Sequence, residues 1–560
     1  MKLNIAHEGN VKIARMVQPE SLKSEDYQPW SRGRGTDVWA MICASIAGDL
    51  ETIKTLVARD PNLINCEYEY FTPIRFAVRE NQREVIDFLL EKGVSPAYEL
   101  GDSLVTIACD RGYDKLAAYL ESILKDRYHI IPEGKIIAGA IRAFNIGQVQ
   151  ALINKQPSLV HAADERGNQP IHWAVLTRQL DLIDYLLESG ADVNAMRPDG
   201  AKPLDLTNGD YHYRSWYRDL PPNGLSKHEV LIGYLMARGA YCDISVAAKI
   251  GYYDRVKKLL EQDPSLVNRH PSYVDYYSGL PLRCAAGAGH VQVVKLLLQR
   301  GANPNEPEPG IAPQGGALHA AIGGKHYEIV KLLLQHGANA NAEVESSGNC
   351  LFMAKWVGAS QEIIDLIASY ASKPATDSDS QEIDLITLDR MLQVNPKLNV
   401  DKFLGYIING EKREHLDLIL RYQPDLLGRK IIDPSAWWDN STFKSPEITR
   451  WLMERGMSPN RRNWLGITPL HRCAAEGDIP IADVLLGFNA DINAVETEWS
   501  STPLGWAARH GQKDMAEWLL KKGADPGLPE NESWALPIAW AKRRGYKEIV
   551  VLLKQHAANE

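Results

Sequence analysis

Ten consecutive residues, Asp210-Tyr211-His212-Tyr213-Arg214-Ser215-Trp216-Tyr217-Arg218-Asp219, gather the side-chain types that acid–base chemistry on a polar substrate requires. A carboxylate and an imidazole exchange protons near neutral pH, guanidiniums hold anionic groups, and aromatic planes stack on a sugar, a nucleotide-like ligand or a peptide. A second cluster, His270-Pro271-Ser272-Tyr273-Val274-Asp275-Tyr276-Tyr277, offers a further carboxylate and three phenols. Asp210, His212, Asp275, Tyr276 and Tyr277 are the candidate catalytic groups of a lyase or hydrolase. Arg214 and Arg218 would hold an anionic substrate, and Tyr211, Tyr213, Trp216, Tyr217 and Tyr273 would bind it.

Two more aromatic loops, Glu67-Tyr68-Glu69-Tyr70-Phe71 and Glu496-Thr497-Glu498-Trp499, add Glu67, Tyr68, Glu69, Tyr70 and Trp499 as candidate binding residues. Turn loops are normally small and polar, so rigid aromatics there match the anchors that dominate binding surfaces. No reaction signature accompanies these clusters: HExxH, GxSxG, a Walker loop and a GxGxxG after a strand are all missing. The seven cysteines form no CxxC pair and no His/Cys ligand spacing, so neither metal nor cofactor is expected, and the thiols should be reduced and mostly buried.

The elements that carry these loops recur along the chain. Ile467-Thr468-Pro469-Leu470-His471, Ser501-Thr502-Pro503-Leu504-Gly505 and Ala535-Leu536-Pro537-Ile538-Ala539 set their prolines 34 residues apart twice running. Earlier copies stand at Phe71-Thr72-Pro73-Ile74, Gln169-Pro170-Ile171-His172, Lys202-Pro203-Leu204, Leu280-Pro281-Leu282-Arg283 and, more loosely, Gly316-Ala317-Leu318-His319. Each continues into a helical apolar run with a glycine stop, plainest in Val291 to Asn303. The unit is therefore turn, short helix, tight turn, second helix, glycine stop and hairpin-like loop. In that register Ala286-Gly287-Ala288-Gly289-His290 is an inter-helix turn and not a phosphate loop.

With its T-P-L-H-x-A start and its V-x-L-L-L-x-x-G-A-D-x-N-A finish, closely matched by residues 467–494, the chain resembles the ankyrin-repeat family. The resemblance implies an all-α solenoid of about fourteen helix-turn-helix units, several degenerate, stacked because no unit can bury its apolar face alone. It also implies that loop tips and first helices form a concave binding surface, and that His172, His319 and His471 hydrogen-bond neighbouring turns. Thr72, Thr468 and Thr502 should cap first helices.

Breaks in the pattern define the organisation. Residues 1–36 match no unit and form a tail or an amino-terminal cap, residues 37–370 an array with an insertion at 207–226, residues 371–384 a linker or hinge, and residues 385–560 a second array. Lys542, Arg543, Arg544, Lys547, Lys554 and Gln555 should give the last helices a polar, capping face. A formal net charge of -9 speaks against nucleic acid, and no apolar run is long enough to cross a bilayer. With no secretory signal at Met1 to Glu8, a cytoplasmic protein is expected.

The expected function is that of a scaffold holding a protein or peptide on its concave face, its acidic loops selecting a basic partner. The alternative is a carbohydrate or other small-molecule site, conceivably a lyase or hydrolase, formed by the aromatic insertion and its neighbouring loops. A single enclosed cavity containing His212, Arg214, Tyr276 and Glu69 would favour that alternative.

Overall fold

A helix of seven to ten residues is too short to hold itself together in water and buries only one stripe of its surface, so it must stack on others. The computed structural model describes residues 13, 15–28, 31–97, 102–209, 228–271, 273, 279–306, 316–344, 348–371, 383–398, 400, 404, 407–408, 410–428, 443 and 445–559. Within these, helix pairs repeat along the chain as an all-α solenoid, with only short two-residue strands. First helices pack on first helices: Pro281–Ala288 sits between Ile244–Lys249 and Ala317–Gly323, and Pro503–His510 between Pro469–Glu476 and Pro537–Arg543. Second helices form an outer row in the same way.

The local chemistry of a unit is clearest where the repeat is cleanest. Val293, Val294, Leu296, Leu297 and Leu298 of Val291–Gln299 are buried. Gly301 ends that helix in the left-handed region at φ 89°, so that its own N–H and that of Ala302 return to the Leu298 and Leu297 carbonyls. Any residue with a Cβ would be strained there. At the other end of the unit, Thr502 caps Pro503–His510 by accepting from Gly505 N. Thr468 and His471 form a reciprocal capping box, whereas Thr72, expected to act likewise, makes no side-chain cap bond.

Two interactions tie each unit to the next. His471 accepts from Thr468 N at Nδ1 and donates through Nε2 to the Ser501 carbonyl at 3.1 Å; His172 does the same between Gln169 N and Ala195 O at 3.0 Å. On the loops, an asparagine reads the backbone of the following unit: Asn305 donates to Gly337 O and accepts from Asn339 N, as Asn268 does with Gly301 and Asn303. Each pair satisfies groups that stacking removes from water.

The buried apolar residues fall into three clusters. One runs from Ile137 to Ile367, a second from Ile383 to Leu553, and a third from Met16 to Ile123. The third also takes in Trp464 and Leu465, so part of its core comes from the far end of the sequence. Before the first helix pair, Leu22 is buried against Gly35–Ala47, and a Cβ on Gly35 would collide with the carbonyls of Ser21 and Ser24. The insertion lies largely outside the described residues, at 210–227; before it, Pro203–Asn208 is a 3-10 helix where other units carry an α-helix.

Burial lowers the imidazole pKa to about 3 at His172, with Arg197 adding to the effect, and to about 4 at His471. Both must therefore stay neutral in the fold, and both would bind a proton in the unfolded chain below its value of 6.5. Stability from these groups is complete above pH 6.5 and is lost as pH falls toward 4. At pH 4 the loss should reach ~3 kcal/mol for each histidine. Urea unfolding of wild type and His471→Gln from pH 7 to pH 4 checks this, and the variant should show the smaller pH slope.

Candidate functional site

Arg75 and Arg79 lie on the helix Pro73–Arg79, and Arg111 follows the helix Leu104–Asp110 in the next unit. Their side chains point off the row of first helices, and all three are buried, with Arg79 only 1% exposed. The group that covers them is Glu498, more than 380 positions later in the chain. Arg75 Nη2 donates to its carboxylate at 2.6 Å, Arg79 Nη1 stands 3.5 Å from its other oxygen, and Arg111 Nη2 donates to its backbone carbonyl. Arg79 is also held through Nε by Glu80 at 2.8 Å and lies over the Phe76 ring, while Arg75 lies over Phe71.

Three guanidiniums around one carboxylate dominate the electrostatics. Burial alone would raise the Glu498 carboxyl, but Arg75, Arg79 and Arg111 outweigh it and hold the group below its ordinary value. Burial, with Arg79 alongside, pulls Arg111 down to about 10. Glu496 accepts from Glu498 N, Trp499 N, Ser501 N and Trp506 Nε1, yet burial and the adjacent Glu498 push it up to about 7.

An apolar contact adjoins this charged one. Trp464, 1% exposed, stands edge-on to Tyr68 and Phe71 at 5.2 and 5.5 Å between ring centroids, and its Nε1 donates to Glu69 at 2.7 Å. Glu69 and Tyr70 form the tip of a two-residue hairpin closed by Tyr68 and Phe71, and both have positive φ, 50° and 68°. That conformation normally calls for Asn-Gly, and costs an ordinary residue about 1–2 kcal/mol. A second charged contact extends the junction: Arg509 pairs with Asp102, and Arg544 with Asp110 at 2.7 Å. Arg543 and Arg544, expected on the polar face of a terminal cap, stand opposite Asp110 and Asp102 of the third unit.

Side chains of the second and third units therefore meet loops and helix ends of the last units, and the array closes on itself. Tyr68, Glu69 and Trp499 all lie at or beside this junction, Trp499 beneath the Arg509 guanidinium at 3.8 Å. In the closed form Tyr68 and Glu69 are engaged by Trp464 of the same chain. Tyr70 stays exposed, and Glu67 is partly covered and faces Arg32 at 3.9 Å. Tyr273 is buried with Arg197 over its ring. Asp210, Tyr211, His212, Tyr213, Arg214, Trp216, Tyr217, Arg218, Asp275, Tyr276 and Tyr277 lie outside the described residues. The residues missed in the sequence are the buried charges; the available signal was arginine where other units carry histidine, as at Arg75 in Thr72-Pro73-Ile74-Arg75.

Trp356, at the end of the helix Cys350–Trp356, is 71% exposed, and Met196 on a loop is 56% exposed. A narrow cavity beside the insertion is lined by Asp205, Thr207, Ser245, Lys249 and Cys284, with burial pushing Asp205 up to about 7. Among the described residues no group of three His, Cys, Asp or Glu could hold a metal, and no helix is long and apolar enough to cross a membrane.

Comparison with known proteins agrees with the repeat geometry. A family model described as ankyrin repeats (3 copies) matches residues 244–344 and 440–530, and one described as ankyrin repeat matches residues 166–197. The chain is 24% identical over 281 residues to alpha-latrocrustotoxin-Lt1a of Latrodectus tredecimguttatus, covering 50% of this chain and 15% of that protein. It is 27% identical over 167 residues to palmitoyltransferase AKR1 of Lachancea kluyveri, covering 28% and 22% respectively. With oxysterol-binding protein-related protein 1 of Rattus norvegicus it shares 32% over 91 residues, 16% of this chain and 9% of the relative. The chain thus matches less than a quarter of each relative's length.

Removing Glu498 strands three buried guanidiniums, so Glu498→Ala should lose about 3–5 kcal/mol in urea unfolding. Combined with Arg75→Ala, the loss should fall short of the sum of the single variants by about 1–3 kcal/mol. Strictly additive losses would mean that the pair does not form in solution.

Proposed function

Because this chain is an ankyrin-repeat protein, we propose that it is an interaction scaffold that holds a protein or peptide partner on the middle of its concave face. Ankyrin repeats generally mediate protein–protein interaction, and which part of the surface does so here follows from what is left uncovered. Units at both ends of the array spend side chains and loops on one another. The observation that carries the reading is Trp356, a tryptophan 71% exposed on the inner row of helices. An exposed indole there leaves a large apolar area in water until a partner covers it, which is the profile of a binding anchor.

In this reading the arrays 37–370 and 385–560, joined through 371–384, act as one support, with the partner seated on units of the first array. The free cysteines among the described residues suit a reducing compartment, and we place the scaffold in the cytoplasm. A second reading, a small polar ligand such as a sugar, rests on the aromatic insertion at 207–226 beside Asp205, since the cavity at Asp205 by itself admits little more than a water molecule. A thermal-shift screen of sugars and nucleotides on wild type and Asp205→Asn separates the two, and no ligand-dependent shift removes the second.

For the scaffold, the test is a partner captured from cell extract, cross-linked and mapped, then titrated against Trp356→Ala. Affinity should fall at least tenfold while the melting temperature stays put, since exposed substitutions seldom change stability by more than ~0.5 kcal/mol. Equal affinity of variant and wild type would remove Trp356 from the interface and, with cross-links lying elsewhere, the proposal with it.

A further inference from the structure

The contact between Glu498 and its three arginines looks different from each side. On the early units, Arg75 and Arg79 are arranged by their own neighbourhood, whereas Arg111 lies over Trp534 of the last unit. Phe71 underlies Arg75, Phe76 underlies Arg79 at 4.6 Å, and Glu80 fixes Arg79 Nε at 2.8 Å. Two guanidiniums pre-set on aromatic rings of their own unit and aimed off the inner helices are a ready receptor for a carboxylate.

What fills the receptor is an extended loop read in the manner of a peptide. Arg75 binds the Glu498 side chain and Arg111 its main-chain carbonyl, so one residue is recognised through both its acid and its backbone. The recognition is also incomplete. Arg79 Nη1 and Nη2 and Arg111 Nε, all buried, make no hydrogen bond among the described residues, and Glu498 Oε2 accepts none. Among the described residues the Glu498 carboxylate faces three cations, and Glu80 contacts Arg79 as well. A buried cluster with surplus cationic donors gives up part of its Coulomb gain to desolvation. It is therefore weaker than the best contact its arginines could make, and a segment with more than one acidic residue can use the spare donors.

We propose that Arg75, Arg79 and Arg111 form a carboxylate-reading site that the chain occupies with its own Glu498, and that a protein partner presenting an extended acidic segment displaces the 496–499 loop. The site is separate from the middle of the concave face and does not depend on a partner binding there. Displacement frees the charged contact while the Trp464 contact keeps the late units close, so the loop acts as an internal competitor that sets a threshold for the partner's acidity. Because the attraction is between charges, the competition weakens as salt rises.

The experiment uses the full chain and a fluorescent peptide that repeats residues 494–501. Wild type, with its site filled, should bind the peptide at least tenfold more weakly than Glu498→Ala and Glu498→Gln, whose sites are vacant. Adding Arg79→Ala to Glu498→Gln, or placing Gln at the Glu498 position of the peptide, should lower affinity at least tenfold. Helical circular dichroism equal to that of wild type marks each variant as folded, and the near-isosteric Glu498→Gln guards against loss of the alanine variant. Equal peptide binding by wild type and Glu498→Gln, or no binding by the folded Glu498→Gln chain, would overturn the proposal.

Discussion

A carboxylate removed from water among guanidiniums is tolerable only while every member of the cluster stays in place, and Glu498 with Arg75, Arg79 and Arg111 is such a cluster. Its members come from opposite ends of the array, so their mutual need fixes how the units between them must curve. Each unit contributes a small rotation, set by the histidine and asparagine bridges to its neighbour, and the sum has to bring the second and third units back against the last ones. The face available for a partner follows from that closure and not from the repeat pattern alone.

Apolar and charged halves of the junction do different work. Trp464 brings a large ring into a pocket made by Tyr68, Phe71 and Phe76, which stabilises closure without choosing its register very finely. The ion pairs add little net stability against solvated ends but reject misalignment, because a shifted register would bury a charge with no counter-charge. The left-handed backbone at Glu69 fits the same division: an ordinary residue is held in a conformation it avoids, sustained by the Trp464 contact across the junction.

Much of the fold was legible because its causes are local. Proline and threonine at helix starts, glycine in the left-handed region at helix ends and histidine between turns act within one unit or between neighbours, and they recur in the sequence at the spacing of the structure. Closure was not legible, since no spacing relates Arg75 to Glu498. The aromatic, acidic loops at 67–71 and 496–499 were conspicuous for a sound reason, in that loops of this composition are made for contact. The basic partner that the acidic loop 496–499 selects in this structure is the chain itself. The polar face expected at Arg543 and Arg544 did not show, in the same way, which acids would stand opposite it.

Small-angle X-ray scattering of the wild-type chain in dilute, low-salt solution addresses closure most directly, because joining the ends of a long array shortens its greatest dimension. A closed array gives a profile that fits the closed form, and an increase in greatest dimension when Trp464→Ala and Glu498→Ala are combined. A wild-type profile of an extended, open solenoid, unchanged by the double substitution, would contradict it.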